Sequence, residues 1–495
     1  MAGPDKLLVI DEGTTSTRAI VFDRDFAQVS LAQQDLTLSY PADGWVQQDG
    51  EEIWARTLAV CREAVAAAGG IAGIAGIGIT NQRETTLVWD RATGVPIAPA
   101  IVWQDRRTAK ACEALKAAGH EAAVHAETGL LLDPYFSATK IGWILDSVDG
   151  ARARAEAGDL AFGTVESFLI WKLTGGRVHA SDVTNASRTL LYRLGIGADG
   201  GWSEEMAALL DVPMGMLPEV KPNAADFGTS DADLLGAALP ILSAAGDQQS
   251  ALVGQGCLQP GMAKITYGTG AFLVANTGAV RPDSQHRLLG TVGYETAGGA
   301  AMALEGSIFN AGTVVKWLRD DLGIVASAQD TESMAAGLDG NGGVYIVPAF
   351  TGLGAPHWNA DARGTISGIT RATSAAHLVR AGLESAAYQT RDLLEAFAAD
   401  GAQIRELRVD GGMVANDWLM QFLADICDRP VLRPDYREMT ALGAAALAAI
   451  QLGWISVKAW TERPVAGTRF EPLMADAERA GLLKGWQDAM RRTLA

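Results

Sequence analysis

Residues 7–23 have the sequence LLVIDEGTTSTRAIVFD, in which two apolar runs flank a turn of small polar residues. Strand, small-residue turn and strand in this order predict a β-hairpin. The pattern returns at residues 262–276, MAKITYGTGAFLVAN, where the turn is Gly-Thr-Gly. Two such hairpins in the two halves of one chain indicate a duplicated architecture, although two unrelated hairpins would give the same pattern.

Helical and strand patterns alternate along the rest of the chain. The apolar spacing predicts helices at residues 50–68, 378–399, 417–428 and 440–452, and strands at residues 74–80, 86–89 and 407–410. Asp49 followed by Glu52 resembles a capping box for the first helix. Such alternation predicts an α/β protein with covered sheets. We expect a domain boundary near residues 254–260, before the second hairpin.

Composition narrows the class of protein. Hydrophobic residues make up 48% of the 495-residue chain, which is enough for large cores and excludes wholesale disorder. A net charge of −18 repels phosphate, so we expect no nucleic-acid partner. The longest weakly polar stretch, residues 441–455, is too short to span a bilayer, so we expect no membrane insertion. The 4 cysteines are far apart and form no CxxC pair, which fits the reduced thiols of a cytoplasmic protein better than a zinc site.

The turn of the first hairpin carries groups that bind phosphate and metal ions. Asp11, at a strand end, could hold a divalent cation directly or through water. Gly13 allows backbone N–H groups to approach an anion, residues 14–16 offer hydroxyl groups, and Arg18 offers a positive charge. An ordinary β-turn remains the alternative. The P-loop and Rossmann glycine patterns are absent, so a nucleotide would bind in another fold.

Two segments in the middle and the second half of the chain offer further groups. Asp247 precedes an apolar helical run, where it is either a helix N-cap or a general base. Residues 410–412, Asp-Gly-Gly, follow a predicted strand, with Asn416 close behind. The two glycines permit close approach to a ligand, but a strand-to-helix turn with positive φ would need them equally.

Polar and aromatic residues between the predicted strands suit a small polyhydroxylated ligand. Arg83 and Glu84 are adjacent and could bind hydroxyl groups as donor and acceptor, although a solvated ion pair is the commoner role for such a pair. Trp103, Tyr135 and Phe272 are core aromatics by default. The chain has 13 tryptophans, which leaves some to line a polyol site.

Taken together, the motifs resemble those of the FGGY carbohydrate kinases in the actin/hexokinase/Hsp70 superfamily. The likeness covers essentially the whole chain. Within this family, Asn-Gln-Arg-Glu-Thr-Thr is typical of members that phosphorylate glycerol. The matching segments are GWV at 44–46, GITNQRETT at 78–86, IVWQ at 101–104, DPYFS at 133–137, TNASRT at 184–189, AGDQQ at 245–249, TYGTG at 266–270, PAFTGLGAP at 348–356 and RVDGG at 408–412.

The resemblance implies two RNase H-like domains of the actin type, each a mixed five-stranded sheet with flanking helices, and an ATP cleft between them. Residues 1–253 would carry the polyol site and the first phosphate loop. Residues 254–495 would carry the second phosphate loop and the adenosine site. The resemblance also implies a homodimer or a homotetramer.

The implied activity is the ATP-dependent phosphorylation of glycerol to sn-glycerol 3-phosphate by in-line transfer, with Asp247 as general base. The implied polyol residues are Arg83, Glu84, Trp103, Tyr135, Asp247, Gln248 and Phe272. Those implied around ATP are Thr14, Thr15, Ser16, Arg18, Thr269, Gly312, Lys316, Gly412 and Asn416. Those implied near Mg²⁺ are Asp11 and Asp247.

Some positions depart from the family pattern. Glu12 stands where the family usually has Gln, and a carboxylate beside a triphosphate is repelled unless it faces away or joins the metal shell. This residue keeps open a kinase for another small polyol or ketose, such as erythritol or dihydroxyacetone; a non-catalytic sugar-sensing protein is a further alternative. Lys316 stands where relatives often have Gln.

Regulation is also expected to differ from that of some bacterial members. Residues 234–239 lack the arginine of the loop that binds fructose 1,6-bisphosphate in those members. The chain has no histidine between His179 and His286, where others carry a phosphorylated histidine. We therefore expect neither control to operate.

Overall fold

The computed structural model describes residues 3–359 and 361–495. Its strands are β1 Lys6–Glu12, β2 Ser16–Phe22, β3 Gln28–Asp35, β4 Gln47–Gln48, β5 Ile74–Asn81, β6 Leu87–Asp90, β7 Ala100–Ile101, β8 Leu160–Gly163, β9 Ala180–Asp182, β10 Tyr192–Arg193, β11 Gly201–Trp202, β12 Glu219–Lys221, β13 Ile241–Gly246, β14 Met262–Tyr267, β15 Ala271–Gly278, β16 Leu289–Thr296, β17 Gly299–Ile308, β18 Tyr345–Val347, β19 Thr365–Ser367, β20 Glu406–Asp410, β21 Val431–Pro434 and β22 Gly467–Phe470.

The helices cover both faces of the sheets. They are α1 Gly50–Ala67, α2 Ala109–Ala117, α3 Glu121–Thr128, α4 Ala138–Ser147, α5 Ala151–Glu156, α6 Val165–Leu173, α7 Val183–Ala186, α8 Glu204–Leu209, α9 Ala232–Leu235, α10 Asp247–Gly254, α11 Gly312–Lys316, α12 Asp330–Ala336, α13 Ala375–Ala399, α14 Asp417–Cys427, α15 Met439–Gln451, α16 Val457–Thr461 and α17 Asp476–Leu494.

The first sheet has five strands in the order β13-β5-β1-β2-β3. Strands β1, β2 and β3 are antiparallel neighbours, whereas β5 is parallel to both β1 and β13. Residues 7–10 of β1 form a continuous apolar run because helices cover both faces of this sheet: α1 packs on one side and α15 on the other. The predicted five-stranded mixed sheet is therefore correct for this half.

The second sheet has seven strands in the order β16-β17-β15-β14-β20-β21-β22. Its inner five strands repeat the connectivity of the first sheet, with β14 antiparallel to β15, β15 antiparallel to β17, and β20 parallel to β14 and β21. Strands β16 and β22 add one antiparallel strand to each edge. The prediction of five strands is therefore correct for the repeated core and too small for the whole sheet.

The predicted helices and strands lie within a few residues of the observed ones. Of the two hydrogen bonds in the predicted capping box before α1, only one forms. Asp49 caps the helix by accepting from the backbone N–H of Glu51 at 2.9 Å, but Glu52 accepts from the Thr37 hydroxyl at 3.1 Å instead of closing the box. Thr37 lies just beyond β3, so the glutamate joins the helix to the sheet edge.

Helix α15 is rich in small residues because it is packed against a helix as well as a sheet. A Cβ atom on Gly443 would lie 1.8 Å from the backbone oxygen of Ser250 in α10. A Cβ atom on Gly254, the last residue of α10, would lie 2.0 Å from the backbone oxygen of Met439 in α15. Only glycine at both positions permits this separation of α10 and α15. Helix α10 connects the first sheet to the second, so the close contact fixes the junction between the two halves.

Among residues 3–359 and 361–495, none of the helices combines the length and the apolar character that crossing a membrane requires.

Candidate active site

Two cavities adjoin each other, one lined by both halves of the chain and the other by the second half alone. The first, of about 650 Å³, is lined by residues of the first hairpin, the start of α10 and the segment after β20. The second, of about 530 Å³, is lined by the Gly-Thr-Gly turn of the second hairpin and by α11, α12 and α14. Gly412 and Ala415 line both cavities, so the two meet there. Together they form a cleft with room for an elongated ligand.

The hairpin turns lie at opposite sides of this cleft. In the first hairpin, Asp11, Gly13 and Arg18 line the first cavity. Residues 14–16 lie in the same turn but line neither cavity: the Thr14 hydroxyl accepts a hydrogen bond from the Trp103 indole at 3.0 Å, and the Ser16 carbonyl accepts from the N–H of Gly13 at 3.0 Å. The turn therefore presents the carboxylate of Asp11, the guanidinium of Arg18 and the backbone of Gly13 to the first cavity.

The predicted nucleotide residues of the second half converge on the second cavity, whose lining includes Thr269, Gly312, Lys316, Gly412 and Asn416. The second turn is held against α11 by hydrogen bonds, because the N–H of Gly312 donates to the Gly268 carbonyl at 3.0 Å. Asn416 also caps α14, and its side-chain oxygen accepts from the N–H of Leu419 at 2.8 Å. Asn416 therefore also has a structural role, as the N-cap of α14.

Arg83 lines neither cavity and is only 3% exposed, but it contacts Asp247, which faces the first cavity. Its Nε atom lies 3.4 Å from Asp247 Oδ1 and 3.9 Å from Glu84 Oε1, and its Nη2 donates to the Tyr135 hydroxyl at 3.4 Å. Its two terminal nitrogens donate to Glu305 at 2.5 and 3.0 Å. The solvated ion pair considered from sequence is thus wrong, because Arg83 and Glu84 are both buried.

Aromatic side chains form a wall beside Arg83. The Trp103 ring contacts the Tyr135 ring with centroids 5.7 Å apart and the Phe272 ring with centroids 6.0 Å apart, both edge to face. Trp103 and Phe272 are only half-buried. These three rings come from two separate halves of the chain. The structure thus brings them together next to Arg83 and Glu84, as the resemblance implied.

Asp247 is the first residue of α10, and Gly246 is the N-cap, so the alternative of Asp247 as N-cap is wrong. Its side chain remains 33% exposed because it faces the first cavity. Burial of the carboxylate in the cleft raises the pKa of Asp247 above its ordinary value, and the positive charges of Arg83 and Lys264 partly oppose this shift. Gln248, the next residue, lines the same cavity and accepts a hydrogen bond from Lys264.

Asp11 and Asp247 are the predicted metal-binding carboxylates, and both line the first cavity, as do Asp410, Asp435 and Glu438. Burial raises the pKa of Asp11 to about 6, and Arg18 opposes the shift while Glu438 and Asp247 add to it. The described residues include no group of three or more His, Cys, Asp or Glu side chains that could hold a metal ion. Mg²⁺ commonly binds one or two carboxylates together with substrate phosphates and waters, so this donor pair fits.

Glu12 faces away from the cleft. Successive residues of a strand point to opposite faces of a sheet, so Asp11 faces the cavity and Glu12 faces α1. There, fully buried, it accepts a hydrogen bond from the Thr57 hydroxyl at 2.8 Å. Burial raises its pKa to about 8, so the side chain is mainly neutral at pH 7. Glu12 therefore does not repel a triphosphate in the cleft, because its side chain faces α1 and is mainly neutral.

Four buried charged residues around the cleft were not among the predicted site residues: Arg188, Lys264, Glu305 and Asp410. Lys264 Nζ donates to the Thr266 hydroxyl at 2.9 Å, and Asp410 accepts from Gln255 at 2.7 Å. Burial alone would raise the pKa of Glu305, but Arg188 and Arg83 lower it to about 2. A charge inside an otherwise apolar strand, as at Lys264 and Glu305, is the sequence signal that could have identified them.

The repeated sheets and the cleft between them define a two-domain fold of the actin type. Comparison with known proteins supplies the family. The model of the N-terminal domain of the FGGY family of carbohydrate kinases matches residues 6–254, and the model of the C-terminal domain matches residues 263–452. The chain belongs to the FGGY family of carbohydrate kinases.

Individual relatives resemble the chain over nearly its whole length. Glycerol kinase from Rhodospirillum centenum is 57% identical, and the match covers 98% of each chain. Glycerol kinase 1 from Pseudomonas aeruginosa is 56% identical, again over 98% of each chain. The crystal structure of Plasmodium falciparum glycerol kinase with ADP has a TM-score of 0.93 at 34% identity and covers 100% of this chain and 99% of that one.

Proposed function

We propose that this chain is a kinase that transfers the γ-phosphoryl group of ATP to glycerol and forms sn-glycerol 3-phosphate. The observation that carries the proposal is the 3.4 Å contact between Arg83 and Asp247 beside an aromatic wall. A hydroxyl-binding cation, a candidate base and the aromatic wall then define the proposed polyol pocket, which meets the first cavity at Asp247. The named glycerol kinases that match the whole chain support the same substrate.

Glycerol binds between the polar and aromatic sides of this pocket. Arg83 and Glu84 bind its hydroxyl groups as donor and acceptor, and Trp103 and Phe272 face its carbon chain. Glu84 lies in the segment between β5 and β6, where its backbone has a φ of +61°. A positive φ at a non-glycine residue is uncommon and is typical of functional sites.

ATP spans the two cavities. The adenosine occupies the cavity next to Thr269 and Gly312, and the phosphates pass Gly412 toward Gly13 and Arg18. Arg18 forms an ion pair with Glu438, and both residues line the first cavity. The side chain of Lys316 lines the adenosine cavity, so its replacement of the usual glutamine acts on nucleotide affinity rather than on the polyol.

Asp247 accepts the proton of the attacking hydroxyl. A carboxylate with a raised pKa is a stronger base than an ordinary one, and general-base assistance typically contributes 10²–10⁴-fold. The terminal hydroxyl attacks the γ-phosphorus in line with the leaving oxygen. Holding the two reactants in line and excluding water supplies most of the remaining acceleration.

Asp11 and Asp247 would hold Mg²⁺. When bound, the ion neutralises charge on the phosphate oxygens. The charge of Asp247 adds to the raised pKa of Asp11, and a bound cation would offset this repulsion. Arg18, 3.9 Å from Asp11, keeps part of the cavity positive and so favours the entry of phosphate groups.

A coupled assay of ATP consumption tests the proposal across glycerol, dihydroxyacetone, erythritol and five-carbon polyols. Glycerol should give the highest kcat/KM, with sn-glycerol 3-phosphate as the product. A clear preference for erythritol or dihydroxyacetone would replace glycerol by another small substrate of the same family. Binding of polyols without any ATP turnover would favour a sugar-sensing role instead.

The proposal includes features beyond the reaction. We expect a homodimer or a homotetramer, which sedimentation analysis would distinguish. The 4 cysteines are all free and buried, which fits the reducing cytoplasm. We also expect no inhibition by fructose 1,6-bisphosphate, because residues 234–239 offer no cation to its phosphates.

A further inference from the structure

Glu305 lies outside the predicted polyol set, yet its carboxylate binds the central residue of that set. It belongs to β17 in the seven-stranded sheet and is fully buried. Both terminal nitrogens of Arg83 donate to it, at 2.5 and 3.0 Å. A two-pronged pair between a guanidinium and a carboxylate fixes the plane of the guanidinium as well as its position. Glu305 therefore sets the orientation of Arg83.

This pairing determines which edge of Arg83 faces the pocket. With both terminal nitrogens on Glu305, the Nε edge points toward Asp247 at 3.4 Å and Glu84 at 3.9 Å. Without Glu305, these two carboxylates are the acids nearest to the guanidinium. Arg83 would turn toward one of them, because a buried cation without its partner is costly. The contact that a polyol hydroxyl needs would then be lost.

Arg188 ties the rest of the polyol pocket to the same carboxylate. Its Nη2 donates to Glu305 Oε1 at 2.9 Å, and its Nε donates to Glu84 Oε1 at 2.7 Å. Its guanidinium also lies over the Tyr135 ring, 5.5 Å from the centroid. Glu305 thus anchors Arg83 directly and anchors Glu84 and Tyr135 through Arg188. Two arginines and two glutamates balance in charge within this buried cluster.

The two halves of the chain contribute different members of this cluster. Arg83, Glu84 and Arg188 precede the second hairpin, whereas Glu305 follows it. Phe272, in the aromatic wall, is paired with Ser307 two residues after Glu305 in the same sheet. The second sheet therefore supplies both an apolar and an ionic support to a pocket whose hydroxyl-binding groups come from the first half.

We infer that Glu305 is a positioning residue of the polyol site, which orients Arg83 and, through Arg188, Glu84 without contacting the substrate. This inference rests on the proposed function, because it assumes that Arg83 binds a substrate hydroxyl. It predicts that loss of the Glu305 charge impairs use of the polyol and leaves the binding of ATP nearly unchanged. If Glu305 only stabilised the fold, its loss would affect the kinetics with the polyol and with ATP alike.

The test compares steady-state kinetics of Glu305→Gln with those of the parent enzyme. We expect kcat/KM for glycerol to fall by about 10²-fold, as for other small misplacements of a binding group, with little change in the KM for ATP. Glu305→Asp keeps the charge on a side chain that is shorter by one methylene, so the fall in kcat/KM for glycerol should be smaller. This variant also tests the inference if Glu305→Gln does not fold. In an Arg83→Met background, Glu305→Gln should cause a clearly smaller loss than in the parent, because only its effect through Arg188 remains.

Glu384→Gln is the matched control. Glu384 is equally buried in the second half and pairs with Arg380 at 2.8 Å, but its other hydrogen-bond partners, Asn341 and Tyr388, lie outside the polyol set. Its variant should be less stable and should keep the glycerol KM of the parent. The inference fails if both variants of Glu305 keep normal glycerol kinetics, if Glu384→Gln shows the same loss, or if the losses add in the Arg83→Met background.

Parent activity separates this inference from the proposed function. If the parent enzyme prefers another polyol, glycerol phosphorylation is refuted, and the same comparison is made with that polyol. If the parent turns over no polyol, both the function and the role of Glu305 are refuted.

Discussion

The Nε atom of Arg83 lies 3.4 Å from the Oδ1 atom of Asp247. The two residues are far apart in sequence, but β5 and β13 are parallel neighbours and Gly246 is paired with Asn81. The segments that follow these strands therefore leave the sheet at the same edge, where ligands commonly bind in α/β folds. A Cβ atom on Gly246 would lie 2.7 Å from Arg83, so glycine at this position permits the contact.

Gly411 and Gly412 are adjacent, yet alanine at each should have a different effect. Gly411 has a φ of +96°, and a Cβ atom there would lie 2.4 Å from the Tyr267 carbonyl. Gly412 has no atom within 4 Å of an added Cβ and lines both cavities. We expect Gly412→Ala to raise the KM for ATP about tenfold, the equivalent of roughly 1.4 kcal/mol, while the melting temperature stays normal.

Gly411→Ala serves as the comparison for this prediction. It should lower the melting temperature, because a left-handed conformation costs an alanine roughly 1–2 kcal/mol before the clash is counted. If Gly412→Ala instead destabilised the protein and left the KM for ATP unchanged, the passage of phosphates beside Gly412 would be contradicted.

Trp103 connects the polyol wall to the first phosphate turn through its hydrogen bond with Thr14. Trp103→Ala removes the ring and should raise the KM for glycerol by about 10–100-fold, which corresponds to the roughly 1.5–3 kcal/mol of burying a large apolar side chain. Trp103→Phe keeps a ring and loses only the indole donor, so its effect on glycerol should be smaller. Equal KM values for glycerol in the parent and Trp103→Ala would remove this ring from the site.

Glu12→Gln should stabilise the protein at alkaline pH. The folded-state pKa of about 8 lies above the ordinary value of 4.5, so the folded protein holds a proton that the unfolded chain releases. This contribution is complete below pH 4.5, declines as the pH rises, and is lost above pH 8. Glutamine has no such proton to lose.

Thermal unfolding of the parent and Glu12→Gln at pH 5 and pH 9 measures this effect. The variant should gain stability relative to the parent at pH 9, by roughly 2–4 °C for each kcal/mol in a domain of this size, and gain least at pH 5. Glu51→Gln, at a partly exposed position in α1 that pairs with Lys172, is the control for the removal of a glutamate charge from this region. An equal difference at both pH values would show that Glu12 does not titrate as its burial implies.

Several features of the fold were predictable because their signals are local. The strand–turn–strand repeat predicted both hairpins, and the apolar spacing predicted α1, α13, α14 and α15 to within a few residues. Edge strands such as β22 were missed. Its four residues, Gly-Thr-Arg-Phe, are mostly exposed and lack the apolar run that identifies an inner strand.

The site was predictable where a motif places its residues and not where two distant segments meet. Arg83, Glu84 and Asp247 stand in recognisable segments, whereas Glu305 acquires its role only when β17 comes next to the segment after β5. Glu12 shows the value of strand alternation: because Asp11 faces the cleft, its neighbour in the same strand faces α1. The period of the strand alone could have predicted this direction.

The central claim is that Asp247 removes the proton from a glycerol hydroxyl as the phosphoryl group of ATP is transferred. The direct measurement is kcat for glycerol-dependent ATP turnover, at saturating Mg²⁺ and ATP, in the parent and in Asp247→Asn. Asp146→Asn, in which an exposed aspartate is changed, is the control. We expect Asp247→Asn to lower kcat by roughly 10²–10⁴-fold and Asp146→Asn to leave it unchanged. A kcat in Asp247→Asn close to that of the parent would contradict the account.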